Sequence, residues 1–201
     1  MALAAICSIQ SGFTARGRLE PSEHGNVLAL QLRDILPTDK IEADNLTRIH
    51  LNSALDKYLV RSGDVVFRSR GERTTAAVVD ASFSGEALAV LPLMILRPNT
   101  NLLSGAYLAW AINQEPAQRY FLEMSQGTNL RMVSRAALEE LEVAVPELDV
   151  QAQILRIDAL AERERELAEQ LTLKRHELIH RVLVERAQGH TAISGMKRMP
   201  K

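Results

Sequence analysis

Residues 151–188 contain neither glycine nor proline and are rich in Ala, Leu, Glu, Gln and Arg, all strong helix formers. About 38 residues rising ~1.5 Å each give a helix roughly 57 Å long, more than a small domain is wide. An isolated amphipathic helix of this kind is not stable along its whole length in water, so part of it must find a partner. Ile157, Leu160, Leu167, Leu171 and Leu178 fall on a and d positions of one heptad frame, the seam expected of a dimerisation helix. Glu164 and Lys174 interrupt the frame at core positions. The expectation is a coiled-coil-forming helix over 149–188, paired with a second copy or with another chain. A tail over 189–201, with Gly, Ser, Thr and three Lys/Arg residues, is expected to be disordered.

The part before the helix reads as one compact domain, 1–148. Its first half alternates short strands with turns. Residues 27–32 have the two-residue period of a half-buried strand. Tyr58-Leu59-Val60 leads through the turn Arg61-Ser62-Gly63-Asp64 into the strand Val65-Val66-Phe67. Residues 76–79 form another apolar run, and 87–96, the most hydrophobic segment, predicts a single buried strand. Helix then follows over 103–115, interrupted by Pro116 and resumed over 117–124. Ser134 is placed to cap a short helix over 136–141, and 142–145 read as a brief strand before Pro146. The fold class expected is α+β, a small mixed domain followed by one long helix.

Nearly half the residues are hydrophobic, which supplies a core without metal or disulfide staples. The one cysteine, Cys7, cannot pair within the chain and fits a reducing cytoplasm; its place in the short apolar start predicts a frayed terminus. No run approaches the ~20 apolar residues that span a bilayer, and a cytoplasmic location without membrane contact is expected. No Gly-x-x-x-x-Gly-Lys-Ser/Thr loop, Gly-x-Gly-x-x-Gly turn or Gly-x-Ser-x-Gly elbow occurs. His176 and His180 stand four residues apart on the long helix but lack a third ligand nearby, which favours a solvated face over a metal site. The reading is therefore non-catalytic, with no cofactor and no metal.

Charge is uneven along the chain. Residues 1–150 carry 14 Lys/Arg against 18 Asp/Glu, whereas 151–201 carry 10 against 7. Within the first part, the window 45–75 is basic through Arg48, Lys57, Arg61, Arg68, Arg70 and Arg73, a local nucleic-acid signal in a chain of net charge −1. Two polar constellations stand out. One is Phe67-Arg68-Ser69-Arg70-Gly71-Glu72-Arg73-Thr74-Thr75, between two apolar strands. Arginine reads guanine through two parallel hydrogen bonds and also clamps phosphate. The other is Ser125-Gln126-Gly127-Thr128-Asn129-Leu130-Arg131, with short polar side chains and one arginine around a glycine. By composition alone each is a solvated turn.

The order of the pieces adds what composition does not. Leu59 to Phe67, containing Ser62-Gly63-Asp64-Val65-Val66, resembles the "lysine–x–Gly-Asp-Ile-Leu" strand entry of type I restriction–modification specificity subunits, with Arg61 in place of the lysine. Arg70-Gly71, Leu96-Arg97-Pro98, Tyr107-Leu108-Ala109-Trp110, Gln118-Arg119-Tyr120-Phe121 and Gly127-Thr128-Asn129 are similar to the steps that follow it in that family. Leu138-Glu139-Glu140-Leu141 leads to Val145-Pro146-Glu147-Leu148-x-x-Gln151-x-x-Ile154, which resembles the family's "Pro-Pro-Leu-x-x-Gln-x-x-Ile" entry into its long helix, with one proline missing. The resemblance runs over about 12–183. It implies a target recognition domain that reads one half of a split site in double-stranded DNA, and methyltransferase and restriction subunits as partners. Only one recognition domain and one helix are present where the family has two of each, so it further implies a homodimer formed through the helix. Under this reading base and phosphate contacts come from Arg68, Arg70, Arg73 and Thr74, from Asn129 and Arg131, and from Arg16 and Arg18 in the early Gly-x-x-x-x-Gly loop. A protein-interaction adaptor or decoy of a restriction complex, acting through the helix, is the alternative.

Overall fold

A computed structural model describes residues 1–15, 17–36, 38–41, 46–51, 56–71, 74–80, 85–125 and 132–194, with side chains described to residue 188. The chain divides into two units, Met1–Leu155 and Arg156–Lys201. In chain order the elements are α1 (Leu3–Ile6), β1 (Cys7–Ser11), β2 (Val27–Leu30), β3 (Thr47–Ile49), β4 (Leu59–Val60), β5 (Val65–Arg68), β6 (Ala76–Val78), β7 (Ala87–Ala89), β8 (Leu93–Pro98), α2 (Gly105–Asn113), α3 (Glu115–Met124), α4 (Arg135–Glu140) and α5 (Leu148–Ser194). Single 3-10 turns lie at Leu32–Asp34 and Asp56–Tyr58. The class is α+β with a long C-terminal helix, as the periodicities indicate.

Two four-stranded sheets organise the first unit. One runs β1-β8-β5-β6 with every neighbour antiparallel, and sets Ile9 opposite Leu96 and Val66 opposite Ile95. The other runs β3-β2-β7-β4 and contains one parallel pair, β2 with β7, with Ala29 opposite Leu88. Successive side chains of a strand point to opposite faces, and the first sheet is covered on both. Val65, Phe67, Met94 and Leu96 pack with Leu108, Ile112 and Phe121 of α2 and α3. Val66, Leu93 and Ile95 pack the other way, onto Leu30, Val60, Ala87 and Ala89 of the second sheet. Burial on both faces explains why Val65-Val66-Phe67 is an unbroken apolar run rather than an alternating one. The outer face of the second sheet, Ala29, Ile49, Leu88 and Val90, is covered by Phe13, Leu19, Leu51 and Tyr58.

Three expectations are corrected. Residues 87–96 are not one strand: β7 belongs to the second sheet and β8 to the first, and the chain changes sheet at Val90-Leu91-Pro92. Proline has no N–H to continue a ladder, so the most hydrophobic run breaks there. The start of the chain is not frayed. Leu3 and Ile6 are fully buried, the Met1 amine donates to the Val143 carbonyl at 2.8 Å, and β1 pairs with β8. The period-two burial of Cys7 and Ile9 was present in the sequence but short. Residues 142–145 form no strand; they meet the N-terminus through one bridge, Ala2 with Glu142, and the Val143 N–H to the Met1 carbonyl.

The helices begin where their caps place them. Ser104 accepts from the Tyr107 N–H at 3.2 Å and Ser134 from the Ala137 N–H at 3.1 Å, each satisfying a donor of the first turn. Pro116 sits in the first turn of α3, where its missing N–H costs nothing. Gly105 opens α2 against the turn at Gly63; a Cβ there would lie 2.3 Å from the Gly63 carbonyl oxygen. Gly63 itself has φ of +93°, which favours glycine.

The first turns of α5 belong to the first unit and are fixed by a buried amide. Gln151 is 1% exposed. Its Oε1 accepts from the Ser104 N–H at 3.0 Å, and its Nε2 donates to the Leu102 and Pro146 carbonyls, both at 2.8 Å. In the second unit every side chain from 156 to 188 is exposed, Ile157, Leu160, Leu167, Leu171 and Leu178 included. The surface carries the spaced ion pairs Arg163–Glu166 at 3.0 Å and Lys174–Glu177 at 2.9 Å, which solvent screens. The helix continues to Ser194, beyond the expected end at 188; residues 195–201 of the expected tail lie outside the described residues.

Candidate nucleic-acid interface

The β5–β6 hairpin carries the first arginine cluster. Along it burial alternates with the pleat: Phe67 and Ser69 are buried, Arg68 is half-buried and Arg70 is exposed. The stem beyond the tip is held by the α2–α3 junction. Asn113 pairs with Ala76 as another strand would, its Oδ1 accepting from the Ala76 N–H and its Nδ2 donating to the Ala76 carbonyl, both at 2.8 Å. Gln118 Nε2 donates to the Thr74 carbonyl at 2.9 Å. Thr74 is itself buried, so its side chain sits in the stem rather than on the surface. Glu72 and Arg73 lie outside the described residues.

Ser69 ties this hairpin to two other segments. Its N–H and its hydroxyl both donate to the Pro92 carbonyl, at 3.2 and 2.5 Å. Its own carbonyl accepts from the Val133 N–H at 2.9 Å, and Arg70 forms an antiparallel bridge with Met132. Directly opposed residues in such a bridge share a face, which sets the exposed Arg70 and the exposed Met132 side by side. Met132 follows the second polar constellation; Asn129 and Arg131 of that constellation lie outside the described residues.

The early glycine loop is rooted on the same turn. Gly12 N–H donates to Leu93, Phe13 N–H to Ala89, and Leu91 N–H back to Phe13, at 2.9, 2.8 and 3.0 Å. A Cβ on Gly12 would lie 2.6 Å from the Leu93 carbonyl oxygen, so this approach needs glycine. Arg18, downstream, is exposed, and Arg16 lies outside the described residues. The connection Val90-Leu91-Pro92 thus takes bonds from the early glycine loop and from the β5–β6 hairpin, and the segment after the second polar constellation is joined to it through Ser69. Sequence reasoning missed that role, because it had merged this connection into one strand.

The rest of the basic window is engaged locally. Arg61 is ion-paired with Glu86, Arg48 donates to the Gly25 carbonyl at 3.4 Å, and the Lys57 ammonium stands 4.8 Å from the Tyr58 ring centre. Arg97, of the Leu96-Arg97-Pro98 motif, donates to the Leu59 carbonyl at 2.7 Å and pairs with Asp64 at 3.5 Å, which fixes the turn before β5. Arg68 differs: its Nε is buried with no hydrogen-bond acceptor among the described residues. An unsatisfied buried donor costs ~1–3 kcal/mol, so this one N–H is left unmet by the described part of its own chain. Cys7 is chemically quiet, its thiol pushed up to about 12 by burial, with the Asp64 charge adding slightly. Among the described residues no group of three metal-ligating side chains occurs, and no helix is long and apolar enough to cross a membrane.

No family model and no curated protein matches the sequence. The fold is similar to that of solved structures described as an HsdS subunit from Thermoanaerobacter tengcongensis (19% identity, TM-score 0.59), covering 81% of this chain and 36% of that one. It is similar also to a type I restriction–modification system S subunit from M. genitalium (13% identity, TM-score 0.53), covering 84% and 40%. A third likeness is to a chain from a structure of type I R-M system complex assembly and conformational transition (19% identity, TM-score 0.54), covering 92% and 42%. This chain therefore spans between 36% and 42% of the length of these proteins.

Proposed function

We propose that this chain is a half-length, non-catalytic specificity subunit of a type I restriction–modification system, acting in the cytoplasm. The first unit reads one half of a split target in double-stranded DNA. The long helix pairs with a second copy, and the assembly directs methyltransferase and restriction subunits to the site. The observation that carries this reading is that the early glycine loop and the β5–β6 hairpin both bond to the Val90-Leu91-Pro92 connection, while Met132-Val133 joins the hairpin at Ser69-Arg70, beside the exposed Arg70. The likeness of the fold to S subunits at 36–42% of their length supports it.

Arg70 and Arg18 are assigned to base or phosphate contact as exposed guanidiniums, and Arg68 as the one with an N–H unmet among the described residues. Arg16, Arg73, Asn129 and Arg131 are assigned with them from the sequence. Thr74 is assigned to the stem that aims the loop. With a net charge of −1, the chain supplies little long-range attraction for phosphate, so partner subunits provide much of the affinity.

Selection of bound sequences from a random DNA pool, with the protein co-expressed with a methyltransferase subunit, tests the reading. A split inverted repeat is the expected result. Arg70→Ala should cost ~1–3 kcal/mol of discrimination and relax one base position. No enrichment from an intact complex would overturn the DNA reading and favour the adaptor.

A further inference from the structure

Where the β5–β6 hairpin meets the segment before α4, the chain sets one exposed apolar side chain beside one exposed cation. We propose that Arg70 and Met132 read two adjoining base pairs from the major groove, Arg70 taking a guanine and Met132 the 5-methyl group of a thymine in the next pair. This rests on the DNA reading and deepens it, by assigning a base-reading residue that forms no hydrogen bond to its base. Met132 stands outside both polar constellations and outside the early glycine loop.

Burial sorts the residues that are tied together here. Phe67, Ser69 and Val133 are buried and Arg68 is half-buried, whereas Arg70 is exposed and Met132 is 50% exposed. A single exposed apolar residue on a protein surface ordinarily needs no explanation. This one is held in place. The Val133 N–H donates to the Ser69 carbonyl at 2.9 Å, and the Ser69 N–H donates to the Pro92 carbonyl at 3.2 Å, so the backbone beneath both exposed side chains is fixed to the scaffold. Arg70 and Met132 are directly opposed in an antiparallel bridge, which sets their Cβ atoms ~4.5–5.5 Å apart on one face. Successive base pairs of DNA rise ~3.4 Å. Side chains at this spacing address one pair or two adjoining ones.

The chemistry of the two tips decides what they meet. A guanidinium donates to O6 and N7 of guanine through two parallel bonds. The cytosine paired with that guanine carries no methyl group, so a methyl covered by Met132 belongs to the next pair. Among the four bases, thymine alone presents an apolar group on its major-groove edge, and a side chain without donors takes it by contact. Methionine suits the task, because its unbranched, polarizable side chain adapts to the shape it covers. The other surfaces of the duplex fit the pair less well. Phosphate is bound by donors, of which methionine has none. The minor-groove edge of an A·T pair offers acceptors and no methyl group.

The test uses the full chain in complex with a methyltransferase subunit, and the site that this complex selects from random DNA. Each thymine of the site is replaced in turn by deoxyuridine, which lacks only the 5-methyl group, and dissociation constants are compared by competition. Replacing one thymine should weaken binding about fourfold, the worth of one buried methyl-sized group. That thymine should adjoin the G·C pair whose selection Arg70→Ala relaxes. In Met132→Ala the same replacement should have no effect, and in Met132→Leu most of the effect should remain. Because Met132 is exposed, both variants should unfold in urea with the parent, which separates lost reading from a damaged fold. A selected site with no thymine beside a G·C pair would overturn the assignment and leave the DNA reading standing. So would thymines that are all indifferent to loss of the methyl, or a methyl dependence that survives in Met132→Ala. If the intact complex selects no site, the DNA reading falls and this assignment falls with it.

Discussion

Replacing Gln151 by leucine should detach the start of α5 from the rest of the first unit while conserving volume. In the parent the side chain is 1% exposed and makes three hydrogen bonds, one accepted from the Ser104 N–H and two donated to the Leu102 and Pro146 carbonyls. Leucine fills the space and makes none, leaving one backbone donor and two acceptors stranded. An unmet buried backbone group costs ~1–3 kcal/mol, and carbonyls with a second lone pair cost towards the lower end, so a net loss of about 3 kcal/mol is expected. For a chain of this length that corresponds to a fall in Tm of roughly 6–12 °C. Urea unfolding followed by the single tryptophan, Trp110, stacked on Tyr107 at 5.4 Å, reads the first unit directly. Gln153→Leu, two residues on and exposed, is the control and should shift stability by less than ~0.5 kcal/mol. Gln151→Glu should be worse than leucine at neutral pH, because the carboxylate keeps the Ser104 bond but faces two carbonyl oxygens. Burial and those oxygens raise its folded pKa above the unfolded value, so stability returns as pH falls through the folded pKa. A leucine variant within ~1 kcal/mol of the parent would refute the anchoring role.

Asn113→Ala should remove both bonds to Ala76, cost ~1–3 kcal/mol, and speed hydrogen exchange of the Ala76 amide without changing that of β1. Gly105→Ala, which would gain up to ~1 kcal/mol in an open helix, should instead lose ~2 kcal/mol or more in urea unfolding, because its Cβ meets the Gly63 carbonyl at 2.3 Å; a gain would refute that close approach. With its thiol pushed up to about 12, Cys7 should react with a maleimide or disulfide reagent at pH 8 on the order of a thousandfold slower than an unfolded thiol, and its labelling should track unfolding.

The legible parts of this fold were those governed by one strong local rule. Ser134 announced its helix, Gly63-Asp64 its turn, and the absence of Gly and Pro over 151–188 the long helix. Reading failed where a rule depends on partners far along the chain. The run 87–96 is apolar throughout because both of its halves are buried, yet in different sheets, and only the pairing of β7 with β2 and of β8 with β1 and β5 separates them. The same limit applies to the basic window. Arg61 and Arg97 carry the same charge as Arg70, but Glu86, Asp64 and the Leu59 carbonyl engage the first two for structural ends. Gln151 had a motif but no reason; the reason is three backbone groups, two of which lie nearly fifty residues earlier in the chain.

How the candidate interface is rooted bears on what it can vary. Most bonds that gather the three segments are backbone to backbone: Phe13 with Ala89 and Leu91, Ser69 with Pro92, and Val133 with Ser69. Such bonds do not depend on side-chain identity, except where a side chain must be absent, as at Gly12, or must add a second bond, as at Ser69. Arg18 and Arg70 are exposed and make no hydrogen bond to the described scaffold. Exchanging them therefore leaves the roots intact, and surface substitutions of this kind typically change stability by less than ~0.5 kcal/mol. The scaffold separates the groups that hold the loops from the groups that face outward, which is what a module needs if its target is to change while its fold does not.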